Sequence, residues 1–513
     1  MSAQTCFPGS LKTYVPNPWV AENSYLGKRS DGGAPSPCGE EMLPDPYWEG
    51  GDAAIAAYRG AWRSALGKIK PATPDNGFVA GYADTAFDDG TFMWDSAFIT
   101  MFWRYGRRAW NALGTLDNFY AKQHPDGFIC RKISGLDGTD HFPRHDPSST
   151  GPNVLPWAEW EAYRVSGDRE RLSRVFPALA AYTRWMRRNR TWPDGSYWAT
   201  GWASGMDDQP RRADAFLGEP PPSGDGFHRN FDHGHMSWVD ACFQALSANR
   251  LIVRMARIIG IEHRAGEFAA EADRLAAWCD SFLWDEKTGF FHDRMRDAAL
   301  ASHLKSVGAY WALLADGVRP GRLERFVAHL ADPGAFARPH RVPSLSADST
   351  GYEESGGYWC GAVWAPTNYM VLRGLEAAGK PDLAFDIALN HVENVAAGFA
   401  RTGTFHENYA PERIGLGCHR SDFVGWTGLA PIAVMFEYVF GLRPQPDSGG
   451  LLWDVRLTAA HGVRNFPVGD SAVANLYCEG RQSPDDKPKI RVECDVPLDL
   501  EIRWGSRKKS FIR

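Results

Sequence analysis

The chain lacks the features that mark several protein classes. Its nine cysteines are scattered and include no Cys-x-x-Cys pair, so the sequence predicts neither a zinc site nor a disulfide framework. No apolar run approaches the length of a membrane span. The N-terminus has neither the basic start nor the apolar stretch of a signal peptide. We therefore expect no membrane partner and a cytoplasmic location.

An excess of positive charge is also missing, since the 513 residues carry a net charge of -6. This balance gives no reason to expect nucleic acid as a partner. The composition is otherwise that of a globular protein, with 44% hydrophobic and 23% charged residues. Tryptophan is abundant, with 21 residues, and 13% of the chain is aromatic. Because sugars stack on indole rings, this excess favours a carbohydrate ligand.

Composition and hydrophobic pattern divide the chain into three regions. Residues 1–54 are rich in Pro, Gly and Asn, which predicts an irregular arm packed on the main body. Residues 55–442 have apolar side chains at helical spacing, for example from Leu172 to Met186 and from Phe268 to Phe282. Residues 443–513 contain short β-type runs separated by Gly, Pro and Asp, so we expect a small β-rich C-terminal domain.

A short turn unit recurs within the helical region. Each unit combines a glycine, usually after a polar residue, with an aromatic residue just beyond, and the Asn-Gly and Asp-Gly pairs are strong tight-turn signals. Repetition at the scale of helical hairpins predicts a mainly α toroid, with its irregular loops gathered at one end to form a pocket. The units are Asn76–Phe78, Asp126–Phe128, Asp194–Tyr197, Thr288–Phe290 and Gly403–Phe405.

The loop from Trp202 to Arg211 is the first candidate for chemistry. It brings together a tryptophan, the adjacent carboxylates Asp207 and Asp208, and an arginine, in a stretch unsuited to a helix interior. This composition favours a polar site with an aromatic floor, as in sugar-binding pockets. The alternative is a surface turn in which an aspartate caps a helix and pairs with Arg211.

Hydrolysis of a glycosidic bond needs two carboxyl groups, one to protonate the leaving oxygen and one to activate water or attack directly. Asp207 is one candidate, and Glu407 is the other because it lies in an aromatic-flanked, non-helical stretch. The alternative for Glu407 is a loop carboxylate in a salt bridge.

Three further clusters combine aromatic residues with a carboxylate or glycines. Each could instead be aromatic core packing beside a turn, and Asp95 could simply cap a helix. The clusters are Phe92–Ser96, Gly356–Asn368 and Asp422–Gly428.

Six motifs, taken in their order along the chain, resemble those of the trehalase-related clan of (α/α)6-barrel glycosidases, which includes glycoside hydrolase family 63. The match is most similar to the mannosylglycerate and glucosylglycerate hydrolase branch and covers about residues 55–440. The motifs are Phe-x-Trp-Asp-Ser at 92–96, Ser-Gly-x-Asp-x-x-x-Arg at 204–211, Gly-His-Met-Ser-Trp-x-Asp at 234–240, Tyr-Trp-x-Gly-x-x-Trp-x-Pro-x-Asn at 358–368, aromatic-x-Glu-x-Tyr at 405–409 and Gly-Trp-Thr-Gly at 425–428.

The resemblance implies a mainly α (α/α)6 barrel and an inverting exo-α-glycosidase that uses no cofactor. It implies that Asp207 is the general acid and Glu407 the general base. Its substrate would be a small α-glucoside or α-mannoside, either a disaccharide or a glycosyl-glycerate. The residues that it places around the sugar are Trp94, Asp95, Trp202, Arg211, Tyr358, Trp359, Trp364 and Trp426.

Cys360 departs from the family pattern, because many relatives have arginine at this point of the Tyr-Trp-x-Gly motif. Arginine would supply a charge and fixed hydrogen bonds, and cysteine supplies neither. Either Arg144 and His145, in a long loop with Arg131 and Lys132, compensate for this loss, or the substrate is a neutral disaccharide.

Other functions stay open at this point. An (α/α)6-barrel sugar epimerase or isomerase would move protons with histidines, whereas the notable loops here contain carboxylates. A non-catalytic carbohydrate-binding protein would need the aromatic residues but has no use for the two acids. The pair His233 and His235 suggests zinc, but no third ligand stands at suitable spacing, so loop hydrogen bonding is favoured and we expect no metal site of this kind. A homo-oligomer is compatible with the sequence.

Overall fold

A computed structural model describes residues 15–32, 39–83, 85, 87, 89–211, 233–296, 303–445, 450–469, 471–505 and 508–512. Cys6 and Cys38 lie outside these ranges, and the seven cysteines within them are free thiols. None of the helices in the described ranges combines the length and apolar character needed to cross a membrane.

The described helices alternate along the chain between an outer and an inner ring. The outer helices are α1 (Asp52–Leu66), α3 (Gly114–Ala121), α5 (Arg169–Asn189), α8 (Gly266–Phe282), α10 (Pro320–Ala331) and α12 (Pro381–Thr402). The inner elements are α2 (Met93–Trp103), α4 (Leu155–Ser166), α7 (Val239–Ile258), α9 (Trp311–Leu314), α11 (Ala365–Ala377) and a π-helix, Ala430–Val439. One further helix, α6 (Gly201–Ser204), is a single turn.

Packing between these elements closes the inner ring. Around the inner ring, α2 packs on α4, α4 on α7, α7 on α9 and α9 on α11. The 3-10 turn Trp426–Leu429, which leads into the π-helix, contacts both α11 and α2 and so completes the circle. Outside it, α1 packs against α12 and the π-helix. The architecture is an (α/α)6 barrel, which confirms the predicted fold class.

The burial of each ring follows from its sequence. Every residue of α2 and of the π-helix is buried, as expected for helices that are apolar on all sides. By contrast, α5 is amphipathic and begins at the cap Asp168, whose side chain accepts a hydrogen bond from the Arg171 backbone N–H. The predicted helices from Leu172 to Met186 and from Phe268 to Phe282 are confirmed as α5 and α8. The last long helix differs from expectation in being of the π type.

The predicted turn units are present between the helices. Gly127 and Gly195, for example, take positive φ angles of 100° and 81°, which glycine adopts readily. Short antiparallel pairs accompany several loops. These pairs are β2 (Ile69–Lys70) with β3 (Tyr82–Ala83), β4 (Gly90–Phe92) with β5 (Lys132–Ser134), β6 (Met236–Ser237) with β9 (Arg294–Met295), β7 (Trp284–Asp285) with β8 (Phe290–Phe291), and β10 (His406–Tyr409) with β11 (Gly417–Ser421).

Two four-stranded sheets form most of the C-terminal region. Their strands are β1 (Asp45–Trp48), β14 (His461–Val468), β15 (Ala472–Cys478) and β16 (Ile490–Cys494) in one sheet, and β12 (Leu442–Gln445), β13 (Gly450–Asp454), β17 (Leu500–Trp504) and β18 (Lys508–Ile512) in the other. The N-terminal segment supplies β1, which pairs with β14 through Asp45 opposite Arg464. The region boundaries at 54 and 442 stay predictions.

Candidate active site

A cavity of about 380 Å³ opens where the inner helices begin. Asp95 in the first turn of α2, Pro152 just before α4 and Trp426 just before the π-helix all line it. Pockets of roughly 300–1,000 Å³ are typical of small-ligand sites. Seven of the residues predicted from the sequence line this cavity: Trp94, Asp95, Trp202, Asp207, Tyr358, Trp359 and Trp426.

Asp207 is held by the loop that follows α6. Gly205 has a φ of 79°, and a Cβ there would lie 2.7 Å from the Trp94 ring, so only glycine allows the loop to approach the indole this closely. Removal from water raises the pKa of Asp207 to about 7. Arg131 opposes this shift, while the charges of Asp208 and Glu407 add to it. At neutral pH Asp207 can therefore hold and release a proton.

Glu407 lies on β10 and is 4% exposed. Its Oε1 accepts a hydrogen bond of 2.7 Å from the Tyr358 hydroxyl, and its backbone carbonyl accepts one of 2.9 Å from Trp426 Nε1. Burial raises the pKa of Glu407, but the Tyr358 hydroxyl and the nearby Arg420 both stabilise the ionised form. This carboxylate is thus fixed in position immediately behind Tyr358, which faces the cavity.

Asp95 and Trp94, which line the cavity, each have a buried polar atom without a described hydrogen-bond partner. Asp95 is 4% exposed, and its Oδ1 has no hydrogen-bond partner among the described residues. Trp94 Nε1 is likewise buried without a described acceptor. Burial raises the pKa of Asp95 well above its ordinary value, and the charges of Glu407 and Asp207 act in the same direction. Buried polar atoms of this kind are costly unless a ligand or water pairs with them.

The tryptophans form two layers on one side of the cavity. Trp359 lines it directly, and Trp364 stacks behind with ring centroids 3.9 Å apart and planes within 3°. Trp364 Nε1 donates to the Tyr358 carbonyl at 3.2 Å, so this indole supports the turn before α11. Trp364 is therefore near the cavity but outside its lining.

Arg211 also lies outside the described lining. It is 2% exposed and donates to Asp240 at 2.6 Å and to Asp293 at 3.0 Å. Its guanidinium lies 4.4 Å from the centroid of the Trp238 ring. The motifs at 204–211 and 234–240 therefore meet in a buried ion pair, which ties the Asp207 loop to the start of α7.

Three cationic side chains outside the predicted sugar-binding set line the cavity. They are Arg131, Lys132 and Arg420. Arg131 lies 4.6 Å from the centroid of the Trp202 ring, and its Nε donates to the Ser148 carbonyl at 2.8 Å. The Asp-Gly-Phe turn at 126–128 stands just before Arg131 and was the available signal. Arg144, which we considered as a compensating cation, instead forms an ion pair with Asp126.

Neither Cys360 nor the histidine pair supplies a ligand site in the described part of the chain. Cys360 Sγ donates to the Asp208 carbonyl at 3.5 Å. His233 Nδ1 accepts a hydrogen bond from the backbone N–H of His235, and its ring packs on Trp192. No group of three His, Cys, Asp or Glu side chains within the described ranges could hold a metal ion.

Comparison with known proteins identifies the family. The family model for the mannosylglycerate hydrolase MGH1-like glycoside hydrolase domain matches residues 89–427, a span that contains every predicted site residue. The chain belongs to this family. It is therefore a glycoside hydrolase of the GH63 type.

Relatives of this chain include two mannosylglycerate hydrolases. The one from Thermus thermophilus is 26% identical over 363 residues, covering 57% of this chain and 83% of that protein. The one from Rubrobacter radiotolerans is 24% identical over 412 residues, covering 67% and 90%. A crystal structure of a GH63 mannosylglycerate hydrolase from Thermus thermophilus in complex with Tris aligns with a TM-score of 0.60 at 22% identity, covering 73% of this chain and 99% of that one. This structural likeness shows the shared (α/α)6 fold.

Proposed function

We propose that this protein is an inverting exo-acting α-glycosidase that hydrolyses a small α-mannoside or α-glucoside of the glycosyl-glycerate type. The observation that supports this most directly is that Asp207 lines a tryptophan-rich cavity while Glu407 lies behind Tyr358, outside the lining but hydrogen-bonded to this lining residue. The Asp207 carboxyl group has a pKa of about 7, while that of Glu407 is held by a tyrosine hydroxyl that favours its ionised form. Acid and base catalysis requires such a difference between two carboxyl groups.

Asp207 is the proposed general acid. In its protonated form it donates a proton to the glycosidic oxygen as the bond to the anomeric carbon breaks. Glu407, in its ionised form, takes a proton from the water that attacks the anomeric carbon from the opposite face. After one turnover Asp207 is ionised and Glu407 is protonated, and exchange with solvent restores both. Inversion requires the two carboxyl groups to lie roughly 6.5–9.5 Å apart, to leave room for that water.

The sugar ring is proposed to bind at the wall formed by Trp94, Asp95 and Trp359. Its hydroxyl groups would pair with Asp95 Oδ1 and Trp94 Nε1, which have no described partner. Indole faces suit the apolar C–H surface of a hexose. The predicted roles of Trp202, Tyr358 and Trp426 as further ligands are supported by their place in the cavity lining. Arg211 and Trp364 would support the site from positions behind the cavity lining.

An acidic leaving group fits the cations of the cavity. The two hydrolases named above act on mannosylglycerate by their names. Here Arg131 is fixed through its Nε, and no described residue accepts a hydrogen bond from its Nη atoms. The Arg131 guanidinium packs against Phe142 and Trp202, and a guanidinium can bind a carboxylate with two parallel hydrogen bonds. Arg131 would then take the role that arginine in place of Cys360 has in many relatives.

A substrate panel tests the proposal. The purified chain should be incubated with α-linked disaccharides, mannosylglycerate and glucosylglycerate, with proton NMR following the released sugar. We expect the β-anomer to appear first and the glycosyl-glycerates to be the better substrates. Initial release of the α-anomer would contradict inversion. An interconverted sugar would favour an epimerase, and binding without turnover on the whole panel would favour a carbohydrate-binding protein.

Arg131→Gln tests the acidic leaving group. We expect KM for the preferred glycosyl-glycerate to rise about tenfold, the order of one lost charged hydrogen-bond pair, with little change in KM for a neutral α-linked disaccharide. Arg144→Gln is the matched control, because Arg144 pairs with Asp126 outside the cavity lining. Equal losses on charged and neutral substrates would contradict this assignment.

A further inference from the structure

We infer that the glycine-flanked turn at 357–361 is a spacer that couples the proposed acid and base, with Asp208 and Tyr358 as its two positioning residues. This inference rests on the proposed function, because it explains how two carboxyl groups from distant loops keep one relative position. Asp208 holds the turn from the acid side, and Tyr358 holds the base.

The backbone of the turn is unusual. Tyr358 has a φ of 55°, a left-handed conformation that is strained for any residue with a Cβ, and Gly357 before it has a φ of 48°. Gly361 has a φ of 150°, and a Cβ there would lie 2.8 Å from the Glu353 carbonyl oxygen. Strain of this kind persists only where surrounding contacts over-determine the conformation.

Contacts from the acid loop supply part of that constraint. Asp208 follows Asp207 directly, and its Oδ1 accepts a hydrogen bond of 3.0 Å from the Trp359 backbone N–H. The Asp208 carbonyl accepts a further hydrogen bond of 3.5 Å from Cys360 Sγ. The residue beside the proposed acid therefore holds two consecutive residues of the turn.

The opposite side of the turn holds the base. The Tyr358 hydroxyl donates to Glu407 Oε1 at 2.7 Å, and its ring packs edge-on against Trp364, with centroids 4.9 Å apart. The chain of contacts thus runs from Asp208 through Trp359 and Tyr358 to Glu407. It relates the two carboxyl groups to each other, although they belong to loops far apart in the sequence.

Tyr358 and Asp208 affect the pKa values of two different carboxyl groups. The Tyr358 hydroxyl lowers the pKa of Glu407, whereas the charge of Asp208 raises the pKa of Asp207. The pH dependence of kcat/KM reports both groups, since the base must be ionised and the acid must be protonated. The acidic limb of the profile therefore follows Glu407, and the basic limb follows Asp207.

Tyr358→Phe removes the hydroxyl and keeps the ring. Without this donor the pKa of Glu407 rises, so we expect the acidic limb of kcat/KM to move up by about one pH unit while the basic limb stays in place. Tyr352→Phe is the matched control. Its hydroxyl donates to Glu412 at 2.6 Å in the same loop region but outside the cavity lining, and both limbs should match the wild type.

Comparing Asp208→Asn with Asp208→Ala separates the effect of the Asp208 charge from the effect of its hydrogen bond to the Trp359 backbone N–H. Both remove a negative charge near Asp207, so both should move the basic limb to lower pH. Asparagine keeps an oxygen that can accept from the Trp359 N–H, whereas alanine cannot. We therefore expect only Asp208→Ala to move the acidic limb upward as well, through a displaced Tyr358, and to lower kcat about tenfold further than Asp208→Asn.

The outcomes separate this inference from the proposed function. If Asp207→Asn or Glu407→Gln retains near-wild-type activity, the proposed acid and base are wrong, and the spacer is wrong with them. If both variants are inactive but Tyr358→Phe leaves the acidic limb unmoved, the spacer alone is overturned. The same holds if Asp208→Ala and Asp208→Asn behave alike. Circular dichroism and thermal melting of each variant identify any loss that is merely unfolding.

Discussion

Carboxyl groups lie at both ends of the inner helices, but the two ends differ in whether these groups form ion pairs with arginines. The end where α2 begins holds the cavity region, with the acids Asp95, Asp207 and Glu407. The pKa values of these acids are affected by Arg131 and Arg420, which lie in the cavity wall. At the other end, roughly 14 Å away at about 1.5 Å per residue along α2, buried glutamates pair directly with arginines.

At the paired end, Glu161 and Glu437 each accept hydrogen bonds from several donors. Arg104 forms ion pairs with Glu161 and Glu437, and Arg373 Nε donates to Glu161 at 3.0 Å. Trp157 Nε1 donates to the same carboxylate at 3.0 Å. Burial by itself raises the pKa of Glu161, but Arg373 and Arg104 outweigh it and hold this pKa below its ordinary value. Glu161 is therefore ionised and fixed.

The difference indicates which charges serve structure and which serve chemistry. Glu161 stays ionised near neutral pH, because Arg373 and Arg104 outweigh the effect of burial on its pKa. Asp207 is partly exposed and forms no ion pair with an arginine among the described residues, so its pKa is raised to about 7 and it can exchange a proton near neutral pH.

The largest effect should come from the cavity acids. Asp207→Asn and Glu407→Gln should each reduce kcat by about 10³, within the range that general acid or base catalysis contributes. Their midpoints of thermal unfolding should not fall, since each change removes a charge that burial penalises. Steady-state kinetics and calorimetry of the same samples provide the two measurements. A large loss of stability with unchanged kcat would reverse the assignment of the two ends.

The opposite result is expected at the paired end. Glu161→Gln should lower the free energy of unfolding by about 3 kcal/mol, because Arg104 and Arg373 lose the charge that compensates their burial. KM of the folded fraction should stay within about twofold of wild type, since this residue lies far from the cavity. Urea denaturation with two probes measures the first quantity. Unchanged stability would mean that the ion pairs make no net contribution.

The smallest effect concerns the pH dependence of stability. A folded-state pKa of about 7 for Asp207 lies above its unfolded value, so the folded protein binds more protons and loses stability as pH rises from about 4 to 7. Asp207→Asn lacks this loss and should exceed the wild type by about 2 kcal/mol above pH 7, allowing for partial exposure, and match it near pH 4. A stability difference that is constant with pH would show that the pKa of Asp207 is not raised.

Much of the fold was readable from the sequence because its signals are local. Helical spacing predicted α5 and α8, and glycine turns predicted the loops between helices. The β-type runs at 451–457, 473–478, 490–494 and 500–504 predicted β13, β15, β16 and β17, whereas β1, β12, β14 and β18 were not anticipated. Strand β1 lies in a segment rich in Pro and Gly, and its partner β14 is more than four hundred positions away, so no local pattern reveals the pairing.

The sequence by itself determined the barrel, its tryptophan-rich loops and the two acidic residues that we propose for catalysis. Only the tertiary structure decided which charges are paired. It turned Arg211 inward to Asp240 and Asp293, brought Arg131 and Arg420 to the cavity, and joined Tyr358 to Glu407. The physical reason is the distance along the chain over which each effect acts. Helix and turn preferences act within a few residues, whereas the protonation of a buried carboxyl group depends on partners that the fold brings from distant parts of the chain.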